Sequence, residues 1–427
     1  MAGCDDEVRY GRLARLQGAR SGVDSRQIAR RLSCVRSGDL PRSLNVRLTG
    51  FQLLPVTMFF GSFAWSFVFV SLPFHIQRVS TLEPAATLRW TGWIVGITSL
   101  VTVMTAPVWG RYAARGNPKA CYVVVEALQG LGFFVMALAR TLPELFFARL
   151  ILGAMGAAST LAFIMVGRSV EGVEVRRRVA ALQSAMTVGQ VVGPLFGAIA
   201  AARLGIRGSF VLGGLILIGC AALVHWAVAS PTRAEDVKAA GRPVRPGEVA
   251  AVTLVVLGGS IQVFYFTSIL PHVLPGLGVD AERTLEVGGV LIFISGVAAA
   301  LGALAVPRLG ELFPERRLIA GLLMASSASV AALAAAGSVW PYGGLRFVQV
   351  LSIAPVFPLI VSRVVQHAGG SAIGVINAAR IGAGFIGPVA ATSLLAWTSP
   401  AVVYLLLASI GLACVPLVRM REAGARA

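Results

Sequence analysis

The chain has 427 residues, 56% of them hydrophobic and 13% charged, with 48 glycines and a mean hydropathy of +0.79. Ordinary soluble domains carry about 25% charged residues, so a soluble enzyme is excluded as the starting class; apolar runs long enough to cross a bilayer point instead to a polytopic membrane protein. The formal charge of +18 comes from 37 basic against 19 acidic residues, with Lys119 and Lys238 the only lysines. In such a chain a basic excess marks cytoplasmic loops rather than a nucleic-acid surface.

Residues 1–50 hold ten arginines and no apolar run of signal-peptide length. They read as a disordered basic cytoplasmic tail, or as sequence translated from upstream of the true start. Apolar runs then follow near 51–76, 90–110, 119–139, 144–167, 178–202, 208–230, 248–270, 285–306, 317–337, 341–363, 372–397 and 401–419, each long enough to span. Trp90, Trp93, Trp109, Trp226, Trp340 and Trp397 fall near their ends, as an interfacial aromatic belt requires. The five cysteines form no C-x-x-C pair and the four histidines no metal spacing. No cofactor or metal is expected.

Alternate loops and the C-terminal tail hold eighteen lysines and arginines against six in the opposite loops, which places both termini in the cytoplasm. The two halves also match. Ser71-Leu72-Pro73 and Ile269-Leu270-Pro271, Arg111 and Arg308, Arg149 and Arg346, and Gly193-Pro194 and Gly387-Pro388 recur in one order, at offsets of 198, 197, 197 and 194. This argues for a six-helix unit repeated once: an all-α membrane protein with bundles over 51–230 and 248–420, a cytoplasmic linker at 231–247 and a cytoplasmic tail at 421–427.

Certain motifs narrow the class. Gly110-Arg-Tyr-Ala-Ala-Arg115-Gly-Asn-Pro-Lys119 resembles the G-x-L-A-D-R-x-G-R-K loop of the major facilitator superfamily, with Ala114 in place of Asp and Asn117 in place of Gly. Arg149-x-x-x-Gly153-x-x-Gly156 resembles that family's buried-arginine motif, and Gly189-x-x-x-Gly193-Pro194-x-x-Gly197 the motif of its drug/proton antiporters. Pro358 to Ala396, with Gly387 and Pro388, resembles the MdtG-type branch of twelve-helix multidrug exporters. The resemblance implies the major facilitator fold, alternating access by two rocking halves, a gating role for these motif residues and a part for Arg149 in proton transfer. The bland alternatives are close packing for the glycines and a structural hydrogen bond for Arg149.

Ionisable groups inside spans are costly and so worth attention. Arg380 lies near the midplane of span eleven, where it is either a substrate or counter-ion contact or a helix-to-helix hydrogen bond; Asn377 shares its face. Glu126 is the one carboxylate well inside a span, able to load and release a proton in a transport cycle or to pair with an arginine. The third helix of each half is mostly peripheral in the resembled family, which counts against Glu126 as a cavity residue. Aromatic stripes such as Phe60, Phe63 and Phe67 in span one, and Gln262 with Tyr265 in span seven, suit an amphipathic ligand, although lipid-facing packing explains many such residues.

No Gly-Lys dipeptide exists, so no P-loop is present, and Gly382-x-Gly384-x-x-Gly387 lies in an apolar helix with no preceding strand. The expectation is a non-enzymatic, monomeric secondary transporter of the inner membrane that exports hydrophobic or amphipathic drugs in exchange for protons and binds no nucleic acid. The alternatives are a carrier of an organic anion held by Arg380, no acid accompanying it in spans one, four, seven or ten, and a receptor or scaffold that does not transport.

Overall fold

A computed structural model describes residues 43–169, 173–230, 246–365 and 370–419. Most of the basic tail, the linker up to residue 245 and the C-terminal tail lie outside these residues. The compact unit that holds the spans is Gly50–Ala427. Hydrocarbon offers the backbone no hydrogen-bond partner, so apolar runs of this length fold as helices.

The helices are α1 (Ser43–Val79), α2 (Pro84–Arg115), α3 (Pro118–Leu138), α4 (Leu142–Ala154), α5 (Ala158–Gly167), α6 (Val173–Ala227), α7 (Pro246–Phe264), α8 (Phe266–Gly276), α9 (Thr284–Leu312), α10 (Glu315–Ala332), α11 (Val339–Ile353), α12 (Val356–Val365), α13 (Gly370–Leu395) and α14 (Pro400–Arg419). α1 begins inside the stretch read as tail, and α7 begins one residue before the expected end of the linker.

These elements make twelve spans in two six-helix repeats. α6 is two spans in one continuous element, bent at Gly205, whose φ of 76° lies in the left-handed region open to glycine. Spans four, seven and ten are each two pieces: α4 and α5, α7 and α8, α11 and α12. The breaks in spans four and ten, at 155–157 and 354–355, nearly correspond: at the repeat's offset of 197, residue 157 falls on 354. Helix starts follow local chemistry: Asn117 accepts from the N–H groups of Lys119 and Ala120 ahead of Pro118, and Thr141 accepts from Glu144 N–H.

The halves meet where α2 packs on α13 and α6 on α9. Gly92 lies against Pro388 and Val389, Gly96 against Phe385, and Gly296 against Val191. Arg89 sits over the Trp397 ring at 5.5 Å. At this end one apolar cluster joins both halves, with Leu72, Phe74 and Ile94 beside Leu270, Leu274 and Leu395. At the other end the cores are separate. Leu54, Tyr122, Leu161 and Val224 belong to one, Val255, Leu318, Ile360 and Val415 to the other. The bundle is sealed at one end and parted at the end bearing the 111–119 loop.

Trp226, Trp340 and Trp397 are strongly exposed near helix ends, as the belt expectation requires. Trp109 departs from it: its indole points inward and donates to Ala154 O at 2.7 Å.

A Cβ at Gly92 would lie 2.9 Å from Pro388 O, which is backbone and cannot swing aside. Gly92→Leu should therefore weaken the seal by about 1–3 kcal/mol of overpacking. Spin labels at Arg115 and Glu311, both exposed at the parted end, should move closer together in this variant.

Candidate functional site

Between the halves lies a cavity of about 560 Å³. Its first-half wall is built from spans one to five. Met58, Ser62, Trp65 and Phe69 of α1, spaced by three and four residues, form one helical face along it. Glu126 reaches the same wall from α3, a helix that the family resemblance places at the periphery. It does so through a notch: a Cβ at residue 61 would stand 2.9 Å from Glu126 Oε1, so glycine there makes room for the carboxyl. Glu126 is 1% exposed, and Oε1 has no hydrogen-bond partner among the described residues.

One turn on, Gln129 joins three elements. Its Oε1 accepts from Trp65 Nε1 at 2.7 Å, and its Nε2 donates to Met155 O in the break of span four. The neighbouring carbonyls also take side-chain donors, Gly153 O in addition to the Gly156 N–H that it already accepts. Thr102 Oγ1 donates to Gly153 O at 3.0 Å and Trp109 Nε1 to Ala154 O. The break thus brings Gly156, Ala158 and Ser159 to the cavity without leaving these acceptors unmet.

Arg149 is buried beside this wall without lining it. Nε donates to Ile94 O at 3.2 Å and Nη2 to Val95 O at 3.0 Å, while the guanidinium faces the rings of Trp65 and Phe69 at 5.7 and 5.9 Å. The carbonyl bonds anticipated as its structural role are present. Glu126 is not its partner: the ion pair found among the described residues is Arg178 with Glu174.

In the second half, Arg346 repeats this clamp on a different helix. Nη1 donates to Gln262 O at 3.1 Å, Nη2 to Val263 O at 3.0 Å and Nε to Ser295 Oγ at 3.3 Å, with the Phe266 ring 4.0 Å away. Its bonds hold α7 just before the break at Tyr265. Arg380 differs. It lines the cavity, is exposed to it and lies over the Phe357 ring at 4.5 Å, with no hydrogen bond or ion pair to a described residue.

The chain matches the Major Facilitator Superfamily over residues 56–388. It belongs to that family. It is therefore a multi-pass membrane transporter and not an enzyme. It is 25% identical over 347 residues to the uncharacterized MFS-type transporter YuxJ of Bacillus subtilis (78% of this chain, 86% of that one). It is 23% identical over 328 residues to the multidrug resistance protein MdtG of Dickeya zeae, covering 74% of this chain and 79% of the relative. Among solved structures, the nucleoside transporter NupG superposes with a TM-score of 0.70 at 13% identity, over 87% of this chain and all of that one, a likeness of fold.

The glycine motif in span five has a plain geometric content. Gly189, Gly193 and Gly197 press on the backbone of α1 at Phe59, Phe63 and Phe67. Pro194 faces the cavity. Gly387 packs against α7 and Pro388 against Gly92. In the 110–119 loop, Lys119 Nζ donates to His225 O at 2.7 Å and Arg168 to Gly116 O at 3.3 Å, so these bonds tie the first half to itself. Arg115 is exposed, and a Cβ at Gly110 would touch nothing.

Several residues expected at the cavity lie elsewhere. Phe60 is 42% exposed on the outer face, and Phe63 and Phe67 pack against each other at 4.7 Å on the side of α1 covered by the span-five glycines. The cavity stripe is Trp65 and Phe69 instead, a few residues round the helix. Gln262 is a buried brace that donates to Leu407 O at 2.9 Å and Ser327 Oγ at 3.1 Å, and Tyr265 is buried beneath Arg346. Asn377 is exposed but lies off the cavity lining. The span-one aromatics, Trp65 and Phe69 among them, are legible in the sequence but not which stripe faces the cavity; sequence reasoning does not reach Gly61, Gln129 or the break in span four, for which Gln129, a polar residue one turn after Glu126 in the same span, is the available signal.

Gly61→Ala should push the Glu126 carboxyl aside and lower any proton exchange through it on the order of tenfold, the scale of a sub-ångström misplacement. Gly321→Ala, where an added Cβ meets nothing within 4 Å, should leave exchange unchanged. Trp109→Phe strands Ala154 O and should cost about 1–3 kcal/mol, read as a lower melting temperature in detergent.

Proposed function

We propose that this transporter exports hydrophobic or amphipathic compounds across the inner membrane in exchange for protons. The parted end faces the cytoplasm, where the arginine-rich loops belong by the positive-inside rule, so the cavity is open inward. The observation that carries this reading is Glu126: a buried carboxyl, unpaired, on the wall of the cavity between the halves. Protonated, it is a neutral group compatible with an empty apolar cavity. Deprotonated, it attracts a cationic or hydrogen-bonding ligand, so proton and ligand exclude each other at one site. Arg149 supports the wall from behind through Trp65, and Arg380 contacts the ligand. The seal between α2 and α13, and between the span-five part of α6 and α9, opens as the halves rock. MdtG, a multidrug resistance protein by name, agrees with this reading.

The organic-anion alternative rests on Arg380 with no acid beside it in spans one, four, seven or ten; Glu126, which enters the cavity from span three, weighs against it. A receptor without transport does not account for the carboxyl and the parted halves together.

Purified protein in weakly buffered detergent should release protons on addition of a lipophilic cation such as tetraphenylphosphonium, and Glu126→Gln should abolish the release. Binding of organic anions alone, dependent on Arg380 and without proton release, would overturn antiport.

A further inference from the structure

The two walls of the cavity carry opposite charges, one from each half. Glu126, in the first half, has an unpartnered carboxyl oxygen behind the Gly61 notch. Arg380, in the second half, has a guanidinium that faces the cavity over Phe357 and bonds to no other described residue. The remaining charged group on the lining, Arg346, already donates to two backbone carbonyls and Ser295. Each half therefore presents one charge still free to bind a ligand. Between the two, the lining is largely apolar, with Trp65 and Phe69 on one side and Phe264 and Phe266 on the other.

We propose that the preferred cargo is a zwitterionic amphiphile, with an ammonium group that docks on Glu126 and a carboxylate that docks on Arg380 across an aromatic or aliphatic body. This narrows the transport reading above and rests on it. The reason is charge balance in a confined space. A ligand carrying only a positive charge meets Arg380 in the same cavity, and one carrying only a negative charge meets Glu126. A neutral ligand withdraws both protein charges from water and pairs neither, which is costly. A zwitterion pairs both through charge-assisted hydrogen bonds. It also touches both halves at once, so its binding energy differs between the parted and closed arrangements, as any ligand that drives closure requires.

The test uses matched probes on the full-length protein in detergent, with binding read by isothermal titration calorimetry. The set is para-(aminomethyl)benzoate, its methyl ester, which keeps only the positive charge, its N-acetyl derivative, which keeps only the negative charge, and the biphenyl homologue of each for longer reach. At one of the two lengths the zwitterion should bind at least about tenfold more tightly than both single-charge analogues, the scale of one added charge-assisted contact. Glu126→Gln should erase its advantage over the N-acetyl acid, and Arg380→Gln its advantage over the ester. The charge-keeping variants Glu126→Asp and Arg380→Lys should retain part of the preference, which separates charge from misfolding. Equal binding of the three probes, no binding of any, or survival in either neutral variant of the advantage that variant should erase overturns the proposal. Proton release by tetraphenylphosphonium in the same preparations separates the two failures. Release without a zwitterion preference removes the cargo assignment and leaves antiport standing, whereas absence of release removes antiport itself.

Discussion

A carbonyl freed from its helix inside a bilayer must find a donor, and the cavity exists because those donors are supplied. Span four breaks midway, and Thr102, Trp109 and Gln129 from two neighbouring helices donate to Gly153 O, Ala154 O and Met155 O, the first and last of which also accept backbone N–H groups. Arg346 does comparable work beside the break in span seven, where two carbonyls of α7 accept from one planar guanidinium. These donors lower the cost of the breaks, which open the space in which a ligand can sit.

The second constraint is the close approach of backbones. In hydrocarbon, helices gain little from excluding apolar surface and depend on packing, which favours residues without side chains at crossings. Gly189, Gly193 and Gly197 fix which face of α1 is buried against span five, and so determine that Trp65 and Phe69 face the cavity. Gly61 works in the opposite way, creating room rather than contact, and lets a residue of a peripheral helix reach the centre. The bonds of Gln129 then tie that peripheral helix to the two that line the cavity most closely.

Much of this is legible in the sequence. The spans and the repeat follow from hydropathy and from four paired landmarks, and Glu126 and Arg380 stand out because charge is rare in such segments. The breaks are not legible, since residues 144–167 read as one uninterrupted apolar run and the donors that stabilise the gap come from other spans. The α1 stripe is misassigned by its sequence for a related reason. When every face of a helix is apolar, periodicity cannot rank the faces, and the deciding partner lies more than a hundred residues away. The expectation for Trp109 fails because an indole near a helix end has the same sequence signature whether it meets headgroups or a buried carbonyl.

The repeat itself carries a last implication. At its offsets of 197 and 194, Glu126 corresponds to Leu323 and Arg380 to Met186. Leu323 is buried in the second-half core, and Met186 lines the cavity without charge. The scaffold repeats one six-helix unit, with overlapping breaks in spans four and ten, yet each half bears its charge where the other has an apolar residue. A symmetric chamber would admit a molecule equally well in either of two orientations. Polarity laid over a repeated frame removes that degeneracy, so the frame governs how the chamber moves while two unmatched side chains give it a head and a tail.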